Sequence, residues 1–155
     1  MYLGVHISSD LTWSAQASAL VKKTTGKLYH LRRLRKHTKS PALLKAFYSA
    51  TVESVLTSSI TAWYGNCSIT DRKRLTRVIK AAERTTRTTL PHLEDIYLRR
   101  CRAKATKIMK DSSHPGHHLF TWLPSGRRMR HIAAKTERMK NSFFPQAIRA
   151  LENAI

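Results

Sequence analysis

The sequence predicts a mostly α-helical protein: a four-helix body, a short strand remnant before it, and an irregular tail that ends in a short helix. Three observations predict this. Apolar residues between Thr12 and Lys110 recur at steps of three, four and seven, the spacing that holds them on one face of a helix. Helix-breaking pairs such as Ser40-Pro41, Gly65-Asn66 and Leu90-Pro91 separate those periodic stretches. The one strand-like run, Tyr2-Leu3-Gly4-Val5-His6-Ile7, sits at the terminus with no second run beside it, and a strand that short makes no sheet alone.

The first helix runs from Thr12 to about Lys36, with Trp13, Ala17, Leu20, Val21, Leu28, Leu31 and Leu34 as its apolar stripe. Gly26 weakens it by about 1 kcal/mol relative to alanine, so it needs tertiary support. Ser40 caps a second helix with Pro41 in its first turn. That helix carries Leu43, Leu44, Phe47, Tyr48, Val52, Val55, Leu56 and Ile60, has only Lys45 and Glu53 as charges, and stops near Trp63-Tyr64-Gly65-Asn66. Most of its circumference is expected to be buried. Ser68 or Thr70 caps a third helix, with Asp71 in the first turn and Leu75, Val78, Ile79 and Ala82 facing inward. Its polar side holds Arg72, Lys73, Arg74, Arg77, Lys80, Arg84 and Arg87, and the threonines at 85, 86, 88 and 89 lower helix propensity toward its end. The fourth helix places Glu94 and Asp95 at its positive end and buries Leu93, Ile96, Tyr97, Cys101, Ala105, Ile108 and Met109.

Composition changes after Lys110. Residues 111–116 and 123–126 are loops, and Ser142 caps a last helix bearing Phe143, Phe144, Ala147, Ile148 and Leu151. The organisation is therefore a strand remnant over 1–10, a helical domain over 11–110 and a basic tail over 111–155 that folds back through Phe120, Trp122, Phe143 and Phe144.

Charge is the strongest functional signal. Twenty-nine Lys and Arg against nine Asp and Glu give a formal +20 and a pI near 10.9, which favours a polyanionic partner, nucleic acid above all. Cys67 and Cys101 are the only cysteines, which suggests no disulfide framework and a reducing, intracellular setting, cytoplasmic or nuclear. No apolar run reaches the roughly 18 residues of a membrane span, so no membrane partner is expected.

Two basic clusters are candidate phosphate contacts. Lys22, Lys23, Arg32, Arg33 and Lys36 lie off the stripe of the first helix, with Lys27 at its edge, and no acid occurs between Asp10 and Glu53. Arg127, Arg128 and Arg130 follow the Pro124-Ser125-Gly126 turn. Trp63 and Tyr64 are candidates for stacking on bases, against the commoner role of an aromatic pair in a core. His114, His117 and His118, with Cys101 upstream, are weak metal candidates: a structural zinc site wants paired ligands at tight spacing, and no such pair occurs, so no metal and no cofactor are expected. Glu94-Asp95 is the only adjacent acidic pair, and neighbours on a helix point about 100° apart, which suits a first helical turn better than a shared metal. There is neither a Gly-x-Ser-x-Gly elbow nor a phosphate-cradling glycine loop.

In its order of segments the chain resembles the region downstream of the catalytic palm in non-LTR (LINE-type) retrotransposon reverse transcriptases. Tyr2-Leu3-Gly4-Val5 resembles the primer-grip strand. Leu11-Thr12-Trp13-Ser14, Val21-Lys22-Lys23 and Leu31-Arg32-Arg33-Leu34 resemble the first thumb helix, and Ile60-Thr61-Ala62-Trp63-Tyr64-Gly65-Asn66 the segment after it. Residues 111–117, 123–126 and 141–148 look like the C-terminal end of such elements. The resemblance implies a thumb-like bundle that grips template–primer duplex, with RNA–DNA hybrid, RNA or DNA as partner and the polymerase palm supplied in trans. It also implies a fragment without activity of its own, since the Tyr-x-Asp-Asp turn of that family is not in this sequence. The alternative is a catalytically silent helical module that docks on the palm or another partner.

Residues from Leu11 to about Val55 are also similar to a short N-terminal element grouped with AlkB-homologue tRNA-modifying enzymes. Those enzymes build an iron site from His-x-Asp and a distant His. No histidine here has an aspartate two residues on, so dioxygenase or methyltransferase chemistry has no residue support.

Overall fold

The computed structural model describes residues 4–154 and is mostly helical, with no sheet among those residues. Helix α1 spans Ser14–His37 and is followed by α2, Pro41–Tyr48. A π-helical segment, Ser49–Glu53, leads into the short α3, Ser54–Leu56. Then come α4, Ile60–Trp63, a 3-10 turn at Tyr64–Asn66, α5 over Ile69–Thr86 and α6 over Leu93–Lys110. The tail contributes a 3-10 turn at His117–Leu119, α7 at Glu137–Lys140 and α8 at Phe143–Glu152.

The stripes read from the sequence are the ones that pack. Ala17, Leu31, Leu75 and Ala82 are wholly enclosed between α1 and α5, and Cys101 and Ala105 between α6 and its neighbours. Each leucine buried in this way stabilises the fold by about 1.5–3 kcal/mol. Ser40 accepts the Leu43 N–H at 3.3 Å, a cap contributing about 1 kcal/mol. Ser68, rather than Thr70, caps α5: its hydroxyl accepts from the Asp71 N–H at 3.1 Å and donates to the Asp71 carboxylate at 2.8 Å.

Two expectations need correction. Tyr2 and Leu3 of the expected strand lie outside the described residues, and from Gly4 to Leu11 the chain shows an isolated bridge position at Val5 and turns at Gly4 and at Ser9-Asp10, with no strand run. The His6 N–H donates to the Gln16 side chain at 2.8 Å. The second helix is interrupted as well. Thr51, Ser54 and Thr57 each donate a hydroxyl to the carbonyl four residues back, which competes with regular helix and bends it. Beyond that point the helical ladder loses its acceptors. Arg100 takes the Thr57 carbonyl and hydroxyl, the Trp63 indole donates to the Ser58 carbonyl at 3.0 Å, and Ser59 sits at φ +51°. Exposed residues of this segment gather toward its start, at Ala42, Leu43, Lys45, Ala46 and Ala50, while Leu44, Tyr48, Val52 and Leu56 face the core.

The tail packs into the same core as the body. Helix α8 packs along α6, and Phe120, Met129, Ala147 and Ile148 join the central cluster. Phe120 and Phe144 meet with ring centroids 5.7 Å apart, while Trp122 stays exposed. Residues 122–129 form a hairpin-like loop, with Trp122 bridged to Met129 and Gly126 at φ +65° at its tip. The Asp111 to His117 segment closes the end of α6. Asp111 accepts from the Ser113 N–H and hydroxyl, the His114 ring accepts from the Gly116 N–H at 3.0 Å, and His117 donates to the Ile108 carbonyl at 3.1 Å.

Candidate nucleic-acid interface

Helices α1 and α5 lie side by side and run in the same direction. Ser14 donates to Asp71 at 2.8 Å near both N-termini, Arg74 donates to Ser18 at 3.1 Å one turn on, and Arg35 donates to the Arg84 carbonyl at 3.2 Å near both C-termini. These bonds identify the flank of α1 that borders α5. At about 100° per residue, Arg32, Lys36, Lys22 and Arg33 follow that flank outward, away from the core.

On α5 the cations divide by position. Arg72 and Arg74 serve the fold. Arg72 lies over the Tyr64 ring at 4.4 Å, pairs with Glu94 at 3.1 Å and donates to the Tyr64 carbonyl at 3.0 Å, whereas Arg74 pairs with Asp71 at 3.1 Å. Lys73, Arg77, Lys80 and Arg84 instead form an exposed ladder at steps of four, three and four, about 16 Å long, and make no ion pair among the described residues. That ladder adjoins the basic flank of α1, so eight cations share one side of the molecule. Helix α1 contains no acid. The two acids of α5 are turned elsewhere: Asp71 is buried, and Glu83 is half-buried and accepts the Leu90 N–H at 3.1 Å. Burial by itself would raise the Asp71 carboxyl, but hydrogen bonds from Ser14, Ser68 and Arg74 outweigh it and hold the group below its ordinary value.

The structure therefore splits the basic residues picked from the sequence. Lys22, Arg32, Arg33 and Lys36 belong to this surface, whereas Lys23 and half-buried Lys27 lie on the opposite flank of α1. Arg127, Arg128 and Arg130 are exposed on the hairpin, which is tied to α8 by the Met129 N–H donating to Glu152 at 3.0 Å. The α5 ladder was missed because no two of its members are adjacent in sequence; its helical period was the available signal. Tyr29 was missed as well. Its ring is 55% exposed in the middle of the α1 face, with the Arg33 guanidinium 5.9 Å from its centroid.

Two further candidates are redirected by burial. Trp63 and Tyr64 are enclosed, with Tyr64 packed 5.2 Å from the Tyr97 ring, so neither presents a face on which a base could stack. Burial pushes the Tyr64 hydroxyl up to about 12. Cys101 is wholly buried on the inner side of α6, and burial raises its thiol; His114 and His117 spend ring nitrogens on the backbone, and His118 is exposed. Among the described residues no group of three or more His, Cys, Asp or Glu is placed to hold a metal ion. None of the described helices is long and apolar enough to cross a membrane.

The architecture defines a helical module with one strongly basic side. The family described as Alkylated DNA repair protein alkB homolog 8, N-terminal, is similar to residues 13–54, which hold α1, α2 and the π-helical segment and make up less than a third of the chain. No curated protein and no solved structure matches.

Proposed function

We propose that this chain is a non-catalytic nucleic-acid-binding module that grips template–primer duplex through the paired outward faces of α1 and α5. One observation carries the reading: eight exposed cations on two parallel helices, with no acid on either outward face. Such a surface gains its affinity by releasing counterions from phosphates, and its contacts are to backbone rather than to base edges. The reverse-transcriptase thumb is the more specific form of this reading and rests on the sequence resemblance; it goes with an RNA–DNA hybrid as ligand, a polymerase palm in trans and a cytoplasmic or nuclear setting. The similarity to the alkB homolog 8 N-terminal family covers α1, and so half of the basic side.

Fluorescence anisotropy with a labelled RNA–DNA hybrid, RNA duplex and DNA duplex, titrated from low to high salt, tests it. If most of the eight cations engage, log K should fall against log salt with a slope between about −4 and −7 on duplex DNA. Reversing Lys73, Arg77, Lys80 and Arg84 to Glu should flatten that slope by about 3 or more. Salt-insensitive association would sink the proposal and point to docking through apolar faces instead.

A further inference from the structure

The basic side ends in a cleft. Where α1 and α5 finish and α2 begins, Arg35, Thr38, Lys39, Pro41, Leu44 and Arg87, with Thr85 and Thr86 at the base, enclose about 380 Å3. That lies at the lower end of the range for small-ligand sites, about 300–1,000 Å3. The lining has three cations and no acid. Arg35, one of the lining residues, already spends one N–H on the Arg84 carbonyl at 3.2 Å, which orients its guanidinium. The hydroxyls of Thr85 and Thr86 are turned to the carbonyls of Ala81 and Ala82, whereas the Thr38 oxygen only accepts, from the Ser40 N–H, and keeps its own proton to donate. Arg87 holds φ +55°, a left-handed conformation in which glycine is the low-cost residue.

We infer that this cleft receives the terminal phosphate monoester of a nucleic-acid strand lying on the α1/α5 face. The inference rests on the proposed function and deepens it. A phosphodiester carries one negative charge, which a single ladder cation matches. A terminal monoester carries about 1.5–2 near neutral pH and exposes three acceptor oxygens. Lys39, Arg87 and the remaining N–H groups of Arg35 supply that charge and those donors, and Thr38 adds a neutral one. The Arg84 end of the ladder opens beside Arg35, so a strand tracked along α5 would bring its end to the cleft.

The test compares one oligonucleotide duplex bearing a terminal phosphate with the same duplex ending in hydroxyls, at fixed salt. The phosphorylated form should bind about tenfold tighter. The double variant Lys39→Gln, Arg87→Gly should erase that difference while leaving hydroxyl-ended binding within about twofold; glycine suits the left-handed position, so the fold is expected to survive. Equal affinity for both ends, with salt-dependent binding intact, overturns the cleft assignment alone. Failure of both duplexes to bind overturns the proposed function instead. A nucleoside monophosphate that fills the cleft, with no preference for phosphorylated strand ends, overturns the strand-end assignment in favour of a free nucleotide.

Discussion

Gly65 lies in the turn after α4, where the body meets the tail. A Cβ added there would come within 2.8 Å of the Tyr97 hydroxyl and closer still to the carbonyl oxygen of Asn141. Neither neighbour yields easily. Tyr97 is a buried ring on α6, and Asn141 is backbone between α7 and α8, held by Asn66 donating to the Arg138 carbonyl at 3.1 Å and Gln146 donating to the Lys140 carbonyl at 2.9 Å. Overpacking of this kind costs about 1–3 kcal/mol, and contact with backbone rather than a flexible side chain puts Gly65→Ala at about 3 kcal/mol. Against a total of about 5–15 kcal/mol that is a large fraction. With a urea m-value of about 2 kcal/mol/M the unfolding midpoint should drop by roughly 1.5 M. Gly26→Ala is the opposed control. Gly26 is exposed within α1 with nothing near its added Cβ, and alanine there should gain about 0.5–1 kcal/mol, raising the midpoint by a few tenths molar. Urea titrations followed by circular dichroism measure both. A Gly65→Ala midpoint within about 0.3 M of the parent, or a lowered midpoint for Gly26→Ala, would refute the packing argument.

Two further outcomes concern titration and reactivity. The Asp71 carboxyl is held below its ordinary value in the folded state, so its contribution is present above the unfolded value near 3.8 and disappears as pH falls through the folded value. Asp71→Asn should therefore cost about 1–3 kcal/mol at pH 7 and clearly less at pH 3; an equal cost at both would show that its charge contributes nothing. Cys67 and Cys101 are both enclosed, and burial pushes the Cys67 thiol up to about 11. A thiol reagent at pH 8 should leave the native protein unmodified and label both cysteines once urea unfolds it; rapid labelling of either native thiol would contradict the burial.

Local chemistry announced α1, α5 and α6 because each has an uninterrupted apolar stripe, and α5 also has its Ser68 cap. The break after α3 was hidden. Thr51, Ser54 and Thr57 read as tolerable helix residues until their hydroxyls are seen to compete with the ladder, and the rivals for the next carbonyls, Arg100 and Trp63, are distant in sequence or beyond the break. The candidate site was legible in part for the same reason. A dipeptide such as Arg32-Arg33 stands out in a linear reading, although only the outward face of a helix decides which cations share a surface. Lys73, Arg77, Lys80 and Arg84 are dispersed in sequence and adjacent in space. Trp63 and Tyr64 show the reverse case, prominent in sequence and closed off by packing. The Asp111 to His117 segment, with its two histidines His114 and His117, turned out to be a cap for α6, which needed its backbone acceptors to be seen.

Arg138 reaches from α7 to the Asp10 carbonyl at 3.0 Å, so two segments 128 residues apart are joined just ahead of α1. This contact links α7 to the turn that leads into α1 across 128 residues of sequence, adding a polar tie outside the core that already joins tail and body. Asn66 holds the Arg138 carbonyl at the same time, so α7 is fixed both to this turn and to the turn after α4. The first helix of the basic side thus owes part of its rigidity to residues near the opposite terminus, and a cut between residues 130 and 140 would be felt where α1 begins.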